Sequence, residues 1–557
     1  MKHNAKRRQT SFLAPTATLT GLVALLATGC ATPQKYTNHR DFYAQGLYKE
    51  SIADFEAEMV ERQKDAGQDE NGENLPVPGS RDYALDDIEM GAGYRALVDL
   101  DSSNEAFERA EQGIREQQEA SLAGAVAGQV AAVFANDNVL PYQVQEYDGI
   151  MVNAYKAVNL LQQGETDKAR VEFKRVEERQ RMAAERFKEQ IAKAKEAEAK
   201  QKANPEAAMA EMDETSAEKK EEDGIGAKIR KLVAQKFNEC MDVVKGSLTN
   251  PDPSHPETAA ARDEYEASFS ADTWGAQEAF TNPFATYMHG VFLFAFGEDK
   301  SDAEAAVHFF ETACRVEPDP AKNPAAKALV LATDDANGKL KKGDKKKTVF
   351  VVFENGLGPM KEEFTIPLWI PIKLPNKATK VLETEIINST IVLPKLVARS
   401  EAFSYLSVCD NGAELAKTVS VCNMDAVVAS EYRERFQWIL LRSLIQCAMK
   451  DVLQVVIVKA LEDPQHPEAN IFISGAVSAL FGKTKHADTR IWASLPKNFQ
   501  IAVVERPKSG YLQLMAPGAP EPIGTAKIPE GAPAIVFVHT PAAAVPATVS
   551  VVSAAAK

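Results

Sequence analysis

Two short patterns contain residue types that could act on a phosphate or an acyl group. The segment "GAVSALFGKT" at 475–484 ends like a phosphate-binding loop, whose backbone N–H groups curl around a phosphate. The first glycine of that motif would fall at Val477, and Gly475 lies two residues too early. We therefore predict a buried helix ending at Gly482 and no nucleotide site.

The segment "SLPK" at 494–497 matches the S-x-x-K pattern of penicillin-recognising enzymes. In those enzymes the lysine lies one helical turn after the serine, and Pro496 opposes such a helix. We interpret the match as chance and predict no catalytic residues.

Histidines and acids are scattered, except in "HADTR", which contains His486, Asp488 and Arg490. We expect an Asp488–Arg490 ion pair bracing the start of a strand, because a hydrolytic role lacks a visible nucleophile. His289 and His308 have no H-E-x-x-H or C-x-x-C pattern beside them, so we predict neither a metal nor a cofactor.

Cys30 is the cysteine whose surroundings indicate a modification. It follows a basic start and the apolar run "LTGLVALLATG", which is too short for a permanent span of roughly 20 residues. This arrangement resembles the lipobox of bacterial lipoproteins, although Ala27 occupies a place where Leu or Val is commoner; an ordinary signal is the other interpretation. The resemblance implies a signal peptide at 1–29, acyl chains (palmitate among them) on Cys30 and, since Ala31 rather than Asp follows, the outer membrane.

Charge and hydropathy restrict the partners of the mature chain. The whole chain has a net charge of −15, and removing Lys2, Lys6, Arg7 and Arg8 leaves −15 − 4 = −19. Such acidity opposes nucleic-acid binding and adsorption to anionic lipid, so acyl chains would have to supply the membrane contact. Residues 120–134 are the most apolar later stretch, and we expect a buried or interfacial helix there.

The remaining cysteines do not form a disulfide framework in a chain of 557 residues. Cys409 and Cys422 flank a predicted β-hairpin, where either a cross-strand disulfide or two half-buried thiols would fit. Cys240, Cys314 and Cys447 lie on apolar helix faces, as small core residues do.

The first half contains repeated helix-pair patterns. Residues 282–318 have the 4, 3, 5 spacing that closes a tetratricopeptide repeat, in which small residues let two helices approach and an aromatic fills the gap: Ala306, Phe310, Ala313 and Pro318. Three weaker copies are marked by Phe55, by Phe107, and by Ala169 with Phe173. We predict a tetratricopeptide-like helical solenoid over 30–335; an irregular helical bundle is the alternative.

A helical arm is predicted inside this half, at 165–245. Its apolar seam is thin and flanked by Glu and Lys, which is typical of a projecting helix that folds back on itself. The segment 201–224 lacks aromatic and β-branched residues and predicts a disordered loop.

The second half changes to a period of two. A basic linker at 336–347 precedes strands such as "TVFVVFENG" and "NFQIAVVERP", with one helix of about 38 residues inserted among them. We predict an α+β domain at 348–541 with a mainly antiparallel sheet, and a disordered tail at 542–557. The whole protein is then α+β and multidomain.

Several segments in order, among them "LPYQVQEYDGIMVNAYKAVNLLQQGETDKARVEFKRVEERQ", "VFENGLGPMKEEFTIPL" and "HADTRIWASLPKNFQIAVVERPKSGY", resemble an uncharacterised family of bacterial lipoproteins. The resemblance covers most of residues 36–515. It implies a tetratricopeptide-like N-terminal half, an α+β C-terminal half and a setting in cell-wall biogenesis, but no chemistry.

We therefore expect a lipid-anchored protein of the outer membrane that faces the periplasm. Its helical repeats would act as a non-catalytic scaffold that binds another protein on a concave surface, with Tyr155, Tyr287 and Phe292 as contact candidates. The alternatives are an envelope enzyme acting on cell wall or polysaccharide, and a carrier of an apolar ligand in the C-terminal half.

Overall fold

The structure is a computed structural model of the α+β class. It describes residues 34–69, 71–122, 141–203, 225–275, 277–314, 324–376, 381–462, 470–471, 474 and 485–554. The predicted signal peptide, Cys30, Pro318 and the 475–484 segment lie outside the described residues.

Helices dominate the first half of the described chain, and strands dominate the second. The helices are α1 Gln34–Ala44, α2 Tyr48–Ala66, α3 Ala84–Ala96, α4 Leu100–Leu122, α5 Glu146–Gln162, α6 Thr166–Ala203, α7 Ile225–Thr249, α8 Pro256–Ala267, α9 Ala271–Trp274, α10 Pro283–Phe296, α11 Lys300–Cys314, α12 Pro324–Ala336, α13 Lys342–Lys345, α14 Met424–Cys447 and α15 Gln454–Leu461. The strands are β1 Thr348–Asn355, β2 Met360–Pro375, β3 Leu382–Val397, β4 Ser407–Asp410, β5 Ala413–Lys417, β6 Val419–Asn423, β7 Asn498–Glu505, β8 Tyr511–Met515, β9 Gly524–Lys527, β10 Ala534–Thr540 and β11 Thr548–Ser553.

Packed helix pairs are present at all four places where the sequence predicts them: α1–α2, α3–α4, α5–α6 and α10–α11. Gly46 and Gly164 have positive φ angles, 74° and 80°, in the turns of the first and third pairs. Each pair also contacts the next, through α2–α3, α4–α5 and α6–α10. The described repeat-packing residues are all buried: Phe55, Phe107, Ala169, Phe173, Ala306, Phe310 and Ala313.

Two sheets face each other in the second half. A five-stranded sheet has the order β11-β10-β1-β7-β6, in which β1 and β10 are parallel and the other neighbours antiparallel. A four-stranded antiparallel sheet has the order β5-β4-β8-β9. One face of β1, with Val349, Val351 and Phe353, shares a core with Leu406 and Leu512 of the smaller sheet and its flanks.

The other face of the five-stranded sheet is covered by helices of the first half. Phe284 of α10 stacks on Phe499 of β7 at 3.6 Å between ring centroids, and Phe294 contacts Phe350 of β1. One hydrophobic cluster therefore runs through both halves. The predicted linker 336–347 is also attached to the folded structure. Lys345 of α13 forms an ion pair with Asp335 of α12.

The long inserted helix is nearly continuous from 424 to 461. A π-helical stretch, Ala448–Leu453, separates α14 from α15. Helix α7, the second half of the predicted arm, packs on β2, on α14 and on the π-helical stretch, so it belongs to the core. Of the predicted disordered loop 201–224, residues 201–203 are helical, and the rest lies outside the described residues.

The prediction of a disordered tail at 542–557 is wrong for most of that segment. Strand β11 pairs with β10 in register, with Val552 opposite Ile535. Thr548 donates a hydrogen bond to the carbonyl oxygen of Ala96, and a Cβ on Gly46 would lie 2.5 Å from Val545. Four of the six residues of this strand are β-branched, as is usual in strands, and the segment contacts both halves of the chain.

Candidate functional site

The 486–495 segment is an irregular stretch of the C-terminal half, with a turn at Ala493 and Ser494, that lies against the helices of the N-terminal half. It contains "HADTR" and the start of "SLPK". Its apolar side chains and one arginine are buried: Ala487, Arg490, Ile491, Trp492 and Leu495. Helices of the first half thus hold an irregular polypeptide segment, and here that segment is part of the same chain.

Glu89 of α3 is the residue that fixes the centre of this segment. Its Oε1 accepts a hydrogen bond from the backbone N–H of Ala493 at 2.6 Å, and its Oε2 accepts one from the Ser494 hydroxyl. His39 Nε2 lies 2.8 Å from Glu89 Oε2, and its Nδ1 lies 2.8 Å from the carbonyl oxygen of Ser51. Both ring nitrogens of His39 therefore lie within hydrogen-bond distance of an oxygen atom.

The order of these groups does not suit nucleophilic catalysis by Ser494. A histidine general base would have to accept the proton of the hydroxyl, but the Ser494 hydroxyl donates to Glu89 Oε2, and His39 contacts that same oxygen rather than Ser494. Lys497 forms an ion pair with Asp425. The S-x-x-K match is thus divided between two unrelated contacts, as expected for a chance match.

Trp492 anchors the segment by packing between two helices. Its ring centroid lies 6.2 Å from that of Phe107 of α4 and 6.0 Å from that of Tyr155 of α5, and its Nε1 donates to the Ser494 hydroxyl at 2.8 Å. Tyr155 is only 3% exposed and also lies beneath the Arg95 guanidinium, 4.3 Å from the ring centroid. The prediction of Tyr155 as an external contact is therefore wrong, because Trp492 occupies its free face.

The other two predicted contact residues are buried as well. Tyr287 is 0% and Phe292 1% exposed. Tyr287 packs on Phe310 within the α10–α11 pair, and Phe292 stacks on Phe173 of α6. Both are core residues, because the repeat places its aromatic side chains between helices.

The "HADTR" end of the segment forms the ion pair that the sequence predicts. Arg490 Nε lies 2.8 Å from Asp488 Oδ1, and Lys361 of β2 donates to the carbonyl oxygen of Arg490 at 3.2 Å. His486 Nδ1 lies 3.1 Å from Glu363 Oε1, which also accepts the N–H of Ala487. These contacts join the segment to β2.

Asp148, at the start of α5, is a fully buried carboxyl group near this end. Its Oδ2 accepts hydrogen bonds from the N–H of Gln145 and the hydroxyl of Tyr142, at 2.9 and 2.8 Å, whereas Oδ1 has no partner in the described structure. Burial raises the pKa of Asp148 to about 7, the negative charge of Glu431 adds to this, and the positive charge of Lys361 opposes it. A neutral acid is favoured there below that pH.

A second polar cluster ties α3 to the five-stranded sheet. Arg95 binds both carboxylate oxygens of Glu354 in β1, each at 2.7 Å, and His539 Nδ1 of β10 lies 3.4 Å from Glu354. Burial alone would raise the pKa of Glu354, but Arg95 and His539 hold it below its usual value. The hydroxyl of Tyr43 reaches His539 Nε2 at 3.3 Å.

The predicted cysteine alternatives are resolved in favour of free thiols. Cys409 lies in β4 and Cys422 in β6, strands of different sheets, and both are unpaired. Burial raises the pKa of the Cys422 thiol to about 12. Cys240 and Cys447 are also free thiols.

The sequence analysis missed Glu89, His39 and the glycines of α3. A Cβ on Gly91 would lie 2.5 Å from the ring of Phe107, and one on Gly290 2.9 Å from Phe310, so glycine lets these helices approach. The available signal was "ALDDIEMGAG", in which three acids interrupt a helix of otherwise small and apolar residues. Acids in such a helix need buried partners.

Comparisons of the chain with protein-family models, curated proteins and solved structures found no match. Among the described residues, no helix combines the length and apolarity that a membrane crossing needs. Nor does the described part of the chain bring together three or more His, Cys, Asp or Glu side chains as a metal site would require.

Proposed function

We propose that the protein is a lipid-anchored scaffold of the bacterial outer membrane, facing the periplasm, that binds another protein without catalysing a reaction. The observation that carries this proposal is the serial packing of four helix pairs with an irregular polypeptide segment held against them. Such an array, in which each unit contacts its neighbours, is typical of tetratricopeptide-like solenoids. The resemblance to wall-associated lipoproteins favours a role in envelope or cell-wall biogenesis.

The position of Cys30 supports close attachment to the membrane. Helix α1 begins at Gln34, and four residues span at most roughly 14 Å. Two or three acyl chains on the cysteine would contribute about 0.8 kcal/mol for each buried CH₂ group, enough to hold an acidic protein without any other inserted segment. The folded body would then lie next to the lipid headgroups.

Two measurements test this proposal. The wild type should fractionate with the outer membrane and carry acyl groups on its first mature residue, whereas Cys30→Ala should be released from the membrane. A Cys30→Ala protein that stays in the membrane would contradict the anchoring.

Crosslinking in intact cells, followed by purification and mass spectrometry, tests the scaffold. We expect the same envelope protein to be recovered from independent cultures with the wild type, and a reduced yield with Cys30→Ala. If the wild type yields no reproducible partner, the scaffold proposal fails.

A further inference from the structure

The β2–β3 ribbon is the long two-stranded sheet of this protein, and it has two strand edges. Sixteen residues of β2 pair with sixteen of β3, from Met360 opposite Val397 to Pro375 opposite Leu382. No third described strand pairs with either one. In such a ribbon, alternate residues point their N–H and C=O groups away from the partner strand.

Prolines identify which residues point outward, because proline has no N–H to give to the ladder. Pro367, Pro371 and Pro375 are odd-numbered in β2, and Pro394 is even-numbered in β3. The pairing matches odd residues of β2 with even residues of β3, so all four prolines belong to one set. The outward groups are thus those of odd residues in β2 and even residues in β3.

Side chains that bond to the ribbon confirm this assignment. Thr258 of α8 donates to the carbonyl oxygen of Pro367 at 2.7 Å. On the other edge, Lys485 bonds the carbonyl oxygen of Thr390, Ser443 that of Val392, and Tyr265 that of Pro394. Each acceptor is an outward residue. Side chains therefore bond both edges at the base of the ribbon, the part that contains Pro367 and residues 390–394.

The two edges differ beyond that base. The edge of β2 is blocked by Pro371 and Pro375, a usual protection of exposed strands. The edge of β3 from Leu382 to Asn388 has no proline, and no contact to its outward backbone groups occurs among the described residues. Leu382 and Ile386 are 63% and 55% exposed. Within the described part of the chain, this stretch is an open strand edge about 24 Å long.

The side chains along the open edge specify a partner. Leu382, Thr384 and Ile386 lie on the outer face, whereas Glu383 and Glu385 lie on the face toward the helices. Glu385 pairs with Lys459 at 3.2 Å, but Glu383 is bonded by the neutral Asn376 amide. An added strand would meet apolar groups on one face and carboxylates on the other, which favours alternating apolar and basic residues.

We propose that the edge of β3 from Leu382 to Asn388 binds an extended polypeptide with alternating apolar and basic residues, which joins the ribbon as a third strand. Backbone hydrogen bonds would provide affinity. Glu383 and Ile386 would provide the preference for basic and apolar residues in the partner. The inference deepens the proposed scaffold function and rests on it only in treating the protein as a binder of polypeptides.

Thr384→Pro and Lys373→Pro form a matched pair for testing this site. The two residues face each other across the ribbon, and each substitution removes one outward N–H, from the open edge of β3 or the blocked edge of β2. The probe is a fluorescent peptide with the sequence Lys-Val-Lys-Val-Thr-Val-Lys-Val-Lys, and anisotropy measures its binding to the mature chain carrying Cys30→Ala. Thermal unfolding checks that both variants are folded.

We expect the parent chain and Lys373→Pro to bind the peptide equally and Thr384→Pro to bind at least about tenfold more weakly. A peptide with Glu in place of Lys, or with N-methylated alternate amides, should not bind. Equal binding by Thr384→Pro, no binding by the parent chain, or equal binding of the Glu peptide would overturn the site. A dimer seen by ultracentrifugation in the parent chain but not in Thr384→Pro would assign the edge to a second copy and also overturn it.

Failure of this site is distinguishable from failure of the scaffold. If Thr384→Pro keeps the envelope crosslinks of the wild type, the partner binds elsewhere, so the edge proposal is wrong and the scaffold stands. If the peptide result is as expected but no envelope partner is found, the edge proposal stands and the scaffold proposal is wrong.

Discussion

Two stretches of backbone in this protein, one irregular and one a β-strand, have opposite surroundings. The 486–495 segment is enclosed by helices, and Glu89 satisfies both the N–H of Ala493 and the hydroxyl of Ser494. The edge of β3 at 382–388 is exposed, and no described group bonds its outward N–H and C=O groups. The helices therefore hold a polypeptide segment inside the molecule, whereas no described group bonds the outward N–H and C=O groups of the strand edge.

This difference changes the way in which the protein could be a scaffold. The sequence predicts that the repeats bind a partner on a concave surface, and the residues chosen for that role are buried. A partner of the helices would have to displace the 486–495 segment together with the buried Trp492. A partner of β3, as proposed above, would displace none of the hydrogen bonds within the described part of the chain.

Glu89→Ala should have the largest effect on the enclosed stretch. The change leaves the N–H of Ala493, the hydroxyl of Ser494 and His39 without their acceptor. We expect the free energy of unfolding, measured by chemical denaturation, to fall by about 3–5 kcal/mol. Glu50→Ala, on the exposed side of α2, is the control and should change it by less than about 0.5 kcal/mol. A loss below about 1 kcal/mol for Glu89→Ala would contradict the anchoring role.

Gly91→Ala tests whether close helix packing sets the surface that holds Trp492. The new Cβ would lie 2.5 Å from the ring of Phe107, which itself packs on Trp492. We expect a loss of roughly 1–3 kcal/mol in unfolding free energy and a shift in tryptophan fluorescence.

Gly246→Ala in α7 is the matched control for this change, because nothing lies within 4 Å of the added Cβ. It should stabilise the protein by about 0.5–1 kcal/mol. If Gly91→Ala and Gly246→Ala changed the unfolding free energy in the same direction, the packing explanation would be wrong.

Asp148→Asn should have the smallest effect, and it depends on pH. The pKa of Asp148 is raised to about 7 in the folded protein, so its contribution is most favourable below the unfolded value near 4. That contribution is lost as the pH rises toward about 7. Asn retains an acceptor for Gln145 and Tyr142, so the variant should be more stable than the wild type at pH 8, on the order of 1–2 kcal/mol.

The comparison at pH 4 completes the Asp148 test, since the folded wild type is then protonated and the advantage should nearly vanish. Asp65→Asn, at an exposed site of α2, is the control for a change of net charge. An advantage of Asp148→Asn that is independent of pH would refute a burial-shifted carboxyl.

Much of the local structure follows from sequence periodicity. The helix pairs, the long helix at 424–461 and most strands have apolar residues at the expected spacing, since each buries one face. The edges of β2 and β3 were also encoded, in the positions of four prolines, but the register was needed to interpret them.

The contacts between the halves could not be predicted in the same way. Glu89 and Ser494 are 405 residues apart, and no local pattern specifies which buried acid meets which backbone N–H. The burial of Tyr155 could not be predicted for the same reason. Its aromatic ring would suit a binding surface or a core equally well, and only the position of Trp492 beside it distinguishes the two. Residues 548–553, within the predicted disordered tail, are mostly β-branched and form a strand by pairing with β10.

Hydrogen–deuterium exchange of the free mature chain, resolved to single amides, tests the central contrast most directly. We predict that the N–H groups of Ala493 and its buried neighbours exchange only through global unfolding, whereas the outward N–H groups of Leu382, Thr384, Ile386 and Asn388 exchange within seconds. Fast exchange at Ala493 together with protection at 382–388 would contradict the account, because the helical surface would then be the open one.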